Sequence, residues 1–91
     1  MNFLETEPFE PVAAWCNETH LSARLRNGAV IRVPVWWYPR LQAGTLVERN
    51  MIELSPLGLH WEVLDEDIKI EGMILGRKAP GAVPPMLDAA E

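Results

Sequence analysis

Few residues in this sequence could act as a nucleophile and its base. Cys16 and His20 are four positions apart, and His60 lies far along the chain. Nucleophilic catalysis needs a base beside the nucleophile, a group that orients the base and donors for an oxyanion. The two residues straddle a predicted turn, and a lone cysteine is usually a core residue. We therefore predict a buried thiol, no structural zinc site and no enzymatic activity.

A second group with chemical capacity is a run of acids. It consists of Glu62, Asp65, Glu66, Asp67 and Glu71, with Lys69 as the one base among them. Oxygen ligands suit calcium or magnesium, but the spacing differs from that of an EF-hand loop. We favour an intramolecular role, in which Arg40 forms a structural clasp with Asp65 and Asp67. An acidic protein-docking surface is the second interpretation and a metal site the third; no cofactor is predicted.

The third group combines arginines with a tryptophan. Arg24, Arg26 and Arg32 would share one face of a predicted hairpin, and the simplest interpretation of such a face is that it is solvated. Strand alternation places Trp36 on that face and Trp37 on the core face. Because Trp and Arg are enriched in binding hot spots, we predict a partner-binding surface. Its members are Trp36, Arg32, Arg24 and Pro34.

Composition limits the classes of function. The 91 residues carry a net charge of −5, which argues against a general nucleic-acid binder. A nucleic-acid-binding regulator that uses Arg24, Arg26, Arg32 and Arg40 is nevertheless kept as the alternative. Cys16 is the single cysteine, so no intrachain disulfide is expected. The sequence shows neither a signal-peptide pattern nor an apolar run of about 20 residues, so we expect a cytoplasmic protein without membrane contact.

The clearest structural signal is a hairpin around Asn27-Gly28. Apolar residues alternate along both arms, which is typical of half-buried strands. A two-residue loop would pair apolar with polar positions. A three-residue loop over 26–28 instead pairs Leu25 with Ala29, Ala23 with Ile31 and Leu21 with Val33. We predict the three-residue loop, with Gly28 in the left-handed conformation.

Turn and cap signals organise the rest of the chain. Val12–Cys16 is predicted as a first strand, a short helix begins at Pro39 and ends at Gly44, and Thr45 with Glu48 forms a capping box. Residues 52–54 and 59–61 are predicted strands around a turn, whereas 68–75 fits a strand or a helix. These elements predict an α+β fold: an antiparallel meander sheet of four to five short strands with one or two short helices on one face. Residues 1–11 are predicted to be an extended arm, 12–76 the domain and 77–91 a flexible tail.

The order of several motifs resembles the small bacterial domain-of-unknown-function 2442 family. They are Pro34-Val35-Trp36-Trp37-Tyr38-Pro39-Arg40-Leu41, then Glu48-Arg49, then Leu59-His60-Trp61 and Leu64-Asp65-Glu66-Asp67-Ile68. The resemblance implies a compact α+β domain without established catalytic residues, often encoded beside another small protein as in toxin–antitoxin pairs. We therefore expect a protein-interaction or antitoxin-like regulatory module. Its partner would be a protein encoded by a neighbouring gene or a second copy of itself.

Overall fold

The computed structural model describes residues 7–85, so the predictions for residues 1–6 and 86–91 lie outside it. Its elements, in chain order, are β1 (Pro11–Cys16), β2 (His20–Leu25), β3 (Val30–Pro34), α1 (Pro39–Ala43), α2 (Leu46–Arg49), β4 (Glu53–Leu54), β5 (Gly58–Trp61), β6 (Glu66–Lys69) and α3 (Ile70–Leu75). The strands form two antiparallel sheets, β1-β2-β3 and β4-β5-β6. The predicted α+β class is confirmed, with six strands in two sheets instead of four to five in one.

The first sheet is built around the predicted hairpin. β2 and β3 pair Leu21 with Val33 and Ala23 with Ile31, and the Leu25 amide donates to the Ala29 carbonyl at 2.8 Å. Gly28 closes the turn at a φ of 94°, a left-handed conformation that favours glycine. The three-residue loop is therefore confirmed. Its register places Leu21, Ala23 and Val33 on one buried face.

The chain leaves the first sheet earlier than strand alternation predicts. β2 begins at His20, which pairs with Pro34, so the residues after Val35 have no strand opposite them. Val35–Trp37 forms a single 3-10 turn, closed by a 2.9 Å bond from the Tyr38 amide to the Val35 carbonyl. The prediction that Trp36 and Trp37 continue β3 on opposite faces is therefore wrong, because neither residue belongs to a strand. Trp37 does pack against the core.

Two short helices connect the sheets. α1 begins at Pro39, which lacks an N–H and suits a first helical position, and ends at Ala43 with Gly44 as its C-cap. The predicted capping box opens α2: the Glu48 amide donates to the Thr45 hydroxyl at 3.1 Å, and the Thr45 amide donates to the Glu48 carboxylate at 2.9 Å. The box satisfies two N–H groups that a four-residue helix cannot bond internally.

The second sheet ends in the third helix. Segment 68–75, which fits either element by sequence, contributes the end of β6 and then the whole of α3. α3 turns Ile70 and Met73 inward and leaves Ile74 and Leu75 exposed. Gly58 is where β5 and β6 come closest, because a Cβ there would overlap the Ile68 carbonyl oxygen.

One core serves both sheets. Leu21, Leu41, Leu59 and Trp61 are its largest fully buried side chains, and they come from β2, α1 and β5. The segment after α3 also lies against the domain, since the Ala79 amide donates to the Trp37 carbonyl at 3.0 Å. The division of the chain at residues 11 and 76 stays a prediction.

Candidate functional site

Three of the four arginines considered for nucleic-acid binding contact partners within the chain. Arg24 lies over the ring of Trp15, 5.4 Å from its centroid. Arg26 pairs with Glu10 at 2.7 Å, which raises its pKa. Arg40 contacts Asp65. Arg32 is exposed on β3. This geometry gives an arginine surface for nucleic acid little support.

Trp36 lies in a surface cavity of about 490 Å³. Its ring is half-buried beside Pro34, His20, Gln42 and Arg49. Arg24 and Arg32 do not line this cavity. Pro34 is the member of the predicted partner-binding set that lines it with Trp36. The set as a whole stays a prediction.

Arg40 forms part of the predicted clasp. Its Nη1 donates to the Asp65 carbonyl and lies 3.4 Å from the Asp65 carboxylate. Asp65 closes the β5–β6 turn with a φ of 54°, which aspartate tolerates better than most residues. Asp67 points to His60 instead of Arg40. Arg40 therefore links α1 to one turn, and both side chains are largely exposed, so the ion pair contributes little stability.

Asp67 and Glu62 bind opposite edges of one imidazole. His60 Nδ1 lies 2.7 Å from the Asp67 carboxylate, and Nε2 lies 3.0 Å from that of Glu62. These hydrogen bonds, from Glu62 and then Asp67, raise the pKa of His60 to about 9, with a smaller contribution from the charge of Glu53. His60 is therefore an imidazolium at neutral pH. Such a group is a poor general base and a poor metal ligand.

Residues 7–85 form neither a cluster that could hold a metal ion nor a reactive thiol. Across residues 7–85, no three His, Cys, Asp or Glu side chains converge so that they could hold a metal ion. Cys16 is buried, and desolvation raises the pKa of its thiol to about 11 against the opposing charge of Arg49. The thiolate is the reactive form of cysteine, so this thiol is unreactive near neutral pH.

Arg49 joins the two sheets, a role that sequence reasoning missed. The Arg49 guanidinium donates to the carbonyls of Leu41 (2.7 Å), Gln42 (2.9 Å) and Glu18 (3.1 Å). The Arg49 carbonyl accepts from the Trp61 indole N–H at 2.8 Å. The Glu48-Arg49 motif quoted for the family was the available signal, but its backbone partners are not visible in a sequence.

A groove of about 470 Å³ with several exposed apolar side chains lies at the surface between the first described residues, the β4–β5 turn and α3. Its lining residues are Phe9, Pro56, Leu57, Lys69, Ile70, Glu71, Ile74 and Leu75. Phe9, Leu57, Ile74 and Leu75 are each between 44% and 58% exposed. We call this feature the apolar groove. Single exposed aliphatic residues are ordinary, whereas contiguous ones mark interaction surfaces.

These features define a small antiparallel α+β domain. The chain belongs to the family described as protein of unknown function (DUF2442), whose pattern matches residues 11–79. The family resemblance and the predicted fold class are therefore confirmed.

A solved structure shares this fold. It is the crystal structure of a protein of unknown function from Rhodospirillum rubrum ATCC 11170, with a TM-score of 0.71 and 23% identity over 80% of this chain and 93% of that chain. Similarity at this level shows the fold alone. No curated protein matches the sequence. Within residues 7–85, no helix is long and apolar enough to cross a membrane.

Proposed function

We propose that this protein is an interaction module that associates with a second copy of itself through the apolar groove. The supporting observation is the cluster of four exposed apolar side chains, Phe9, Leu57, Ile74 and Leu75, around one concave surface. Complete burial of a side chain of this size is worth about 1.5–3 kcal/mol. Covering the groove therefore supplies a driving force that the isolated chain leaves unused.

The charges at the groove favour a second copy as the occupant. The groove is lined by one cation, Lys69, and one anion, Glu71. In a two-fold dimer, residue i of one protomer contacts residue j of the other and the reverse. Lys69 of each copy can then approach Glu71 of the other. Two chains that each carry a net charge of −5 repel elsewhere, so a surface with balanced charges is the favourable place to meet.

Mass measurement by light scattering across a dilution series tests this proposal. Wild type is expected to form a dimer, and Leu75→Glu to shift it to monomer with an unchanged circular dichroism spectrum. Val47→Glu is the matched control, because Val47 is 73% exposed on α2 and lies outside the groove. A wild-type monomer at every accessible concentration, or a dimer that persists in Leu75→Glu, would contradict the proposal.

Charge reversal tests the geometry of the pair. Lys69→Glu and Glu71→Lys are each expected to weaken the dimer, since each places like charges opposite one another. The double variant restores the opposite charges and is expected to regain the wild-type mass distribution. Equal weakening by the double variant would exclude the two-fold contact.

Two other functional hypotheses from the sequence concern a different protein partner. An antitoxin-like role concerns a neighbouring gene product, and it stays a prediction. The partner-binding set around Trp36 also stays a prediction. Co-purification with the neighbouring gene product, compared between wild type and Trp36→Ala, is the measurement that checks both.

A further inference from the structure

A second concave surface gathers half of the basic residues of the chain. A cleft of about 570 Å³ opens between the start of α1, β6 and segment 77–80. Arg40, Lys69, Arg77 and Lys78 line it, four of the eight Lys and Arg residues present, against two acids, Glu66 and Asp67. We call it the basic cleft. In a chain with a net charge of −5, it is a local excess of positive charge.

Three of its cations, Lys69, Arg77 and Lys78, form no ion pair with a carboxylate in the described structure. Arg40 is occupied by Asp65, whereas Arg77 and Lys78 form no ion pair with any residue between 7 and 85. The Lys78 ammonium nitrogen lies 4.7 Å from the centroid of the Trp37 ring, beside the cleft. The Arg77 amide donates to the Gly72 carbonyl at 2.9 Å, so its backbone is anchored to the end of α3. No carboxylate of the described structure neutralises either charge.

A buried hydroxyl at the same cleft also lacks a partner. Tyr38 lines the cleft and is 4% exposed. Its hydroxyl is the one buried side-chain oxygen or nitrogen in the described structure without a hydrogen bond. Burial, with a smaller effect of Glu66, raises the pKa of this phenol to about 12, so it keeps its proton and can donate. An unsatisfied buried polar group is costly and calls for a functional explanation.

The protonation state of Glu66 affects the binding of an anion in the basic cleft. Its side chain is partly buried at the cleft, and desolvation raises its pKa, opposed by Arg40 and reinforced by Asp67 and Asp65. A bound anion would raise this pKa further, because like charges in one site disfavour ionisation. Anion binding therefore favours proton uptake by Glu66, and protonation of Glu66 favours anion binding.

We propose that the basic cleft binds a small organic anion, whose carboxylate or phosphate group is held by Arg77, Lys78 and the Tyr38 hydroxyl and whose apolar part lies against Pro39 and Ala79. The cleft volume falls within the range of small-molecule sites. Apolar walls with a few polar groups are typical of such sites. Lys69 lines both surfaces. The groups proposed to hold the anion, Arg77, Lys78 and Tyr38, do not line the apolar groove, so their variants test this proposal separately from self-association.

Titration with three probes tests the proposal, followed by amide chemical shifts of residues 37–40 and 77–80. Phenyl phosphate and benzoate share an aromatic body and differ in the anionic group, and inorganic phosphate lacks the body. Saturable binding of either aromatic anion, tighter than that of inorganic phosphate, is the expected result. The tighter of the two identifies the anionic group. No saturable shift with any probe would overturn the proposal.

Variants assign the binding to the cleft. Arg77→Gln is expected to weaken binding about tenfold, the effect of losing one charged hydrogen bond. Arg32→Gln removes the same charge from β3 and is expected to leave binding unchanged. Equal weakening by both variants would show a general charge effect and exclude the site.

Tyr38→Phe separates a ligand-binding hydroxyl from a structural one. The change removes only the unpartnered oxygen, so the melting temperature is expected to stay equal or rise while anion binding weakens. Glu66→Gln is expected to tighten binding and to abolish its increase at lower pH. A lower melting temperature in Tyr38→Phe with unchanged anion binding would assign the hydroxyl to the fold and contradict the proposal.

Discussion

The side-chain amide of Asn50 pairs with both backbone groups of Cys16. The Cys16 amide donates to Asn50 Oδ1 at 2.8 Å, and Asn50 Nδ2 donates to the Cys16 carbonyl at 3.0 Å. The same Nδ2 also donates to the Leu46 carbonyl at 3.0 Å. One side chain therefore joins the end of β1 to α2. Together with Arg49, it supplies the polar connection between the two sheets.

Replacement of Asn50 by alanine is the direct test of this connection. Asn50→Ala leaves the Cys16 amide and carbonyl without their partner, so we expect the free energy of unfolding to fall by about 1–3 kcal/mol. Urea denaturation measures the change. Gln42→Ala is the control, since it removes an exposed amide of the neighbouring helix whose side chain forms no hydrogen bond in the described structure. Equal values for the two variants would show that the Asn50 bonds contribute nothing.

Gly58 and Gly72 should respond oppositely to alanine. Gly58→Ala forces a Cβ into the Ile68 carbonyl oxygen, so the β5–β6 pairing must shift, and we expect a loss of more than about 3 kcal/mol. At Gly72, inside α3, the nearest atom to a new Cβ is that of Arg77 at 3.9 Å. Alanine has the higher helix propensity, so we expect a gain of about 0.5–1 kcal/mol. Thermal melts of both variants measure the difference, and destabilisation by Gly72→Ala would contradict the assigned helix.

His60 predicts a pH dependence above neutrality. Its folded-state pKa of about 9 lies above the ordinary value of 6.5. The stabilisation is therefore complete below pH 6.5 and is lost as the pH rises through 9. Imidazole chemical shifts report the pKa directly. Asp67→Asn and Glu62→Gln should each lower it, whereas Glu71→Gln, which removes an acid that forms no hydrogen bond to His60, should not. A pKa near 6.5 in wild type would exclude the ion pairs.

The structural features that the sequence predicted correctly depend on contacts between residues that are close together in the chain. The hairpin register followed from the parity of Leu21, Ala23 and Leu25 with the residues after Gly28, all within one short segment. The capping box of Thr45 and Glu48 was equally local. The path of Trp36 and Trp37 was not, because it depends on where β2 begins. Strand alternation alone carries no information about the partner strand.

The partners of the polar side chains were the least predictable part. Asn50 reaches Cys16 across 34 positions and Arg49 reaches Glu18 across 31. Both bind backbone groups, which are common to all residue types, so the sequence does not reveal these contacts. Asp65 contacts Arg40, whereas the Asp67–His60 pair follows from the β5–β6 register, which the sequence does not show. The lack of a hydrogen-bond partner for the buried Tyr38 hydroxyl likewise results from tertiary packing, which the sequence does not show.

The Asn50 amide has one more consequence, for aggregation. Edge strands expose unpaired N–H and C=O groups that can recruit a strand from another chain. At the end of β1, Asn50 occupies these groups of Cys16, and at the end of β3, Pro34 has no N–H to offer. At these ends, the outer strands β1 and β3 of the first sheet therefore offer fewer free backbone groups to a strand of another chain. Cross-chain β-pairing is therefore disfavoured at these positions.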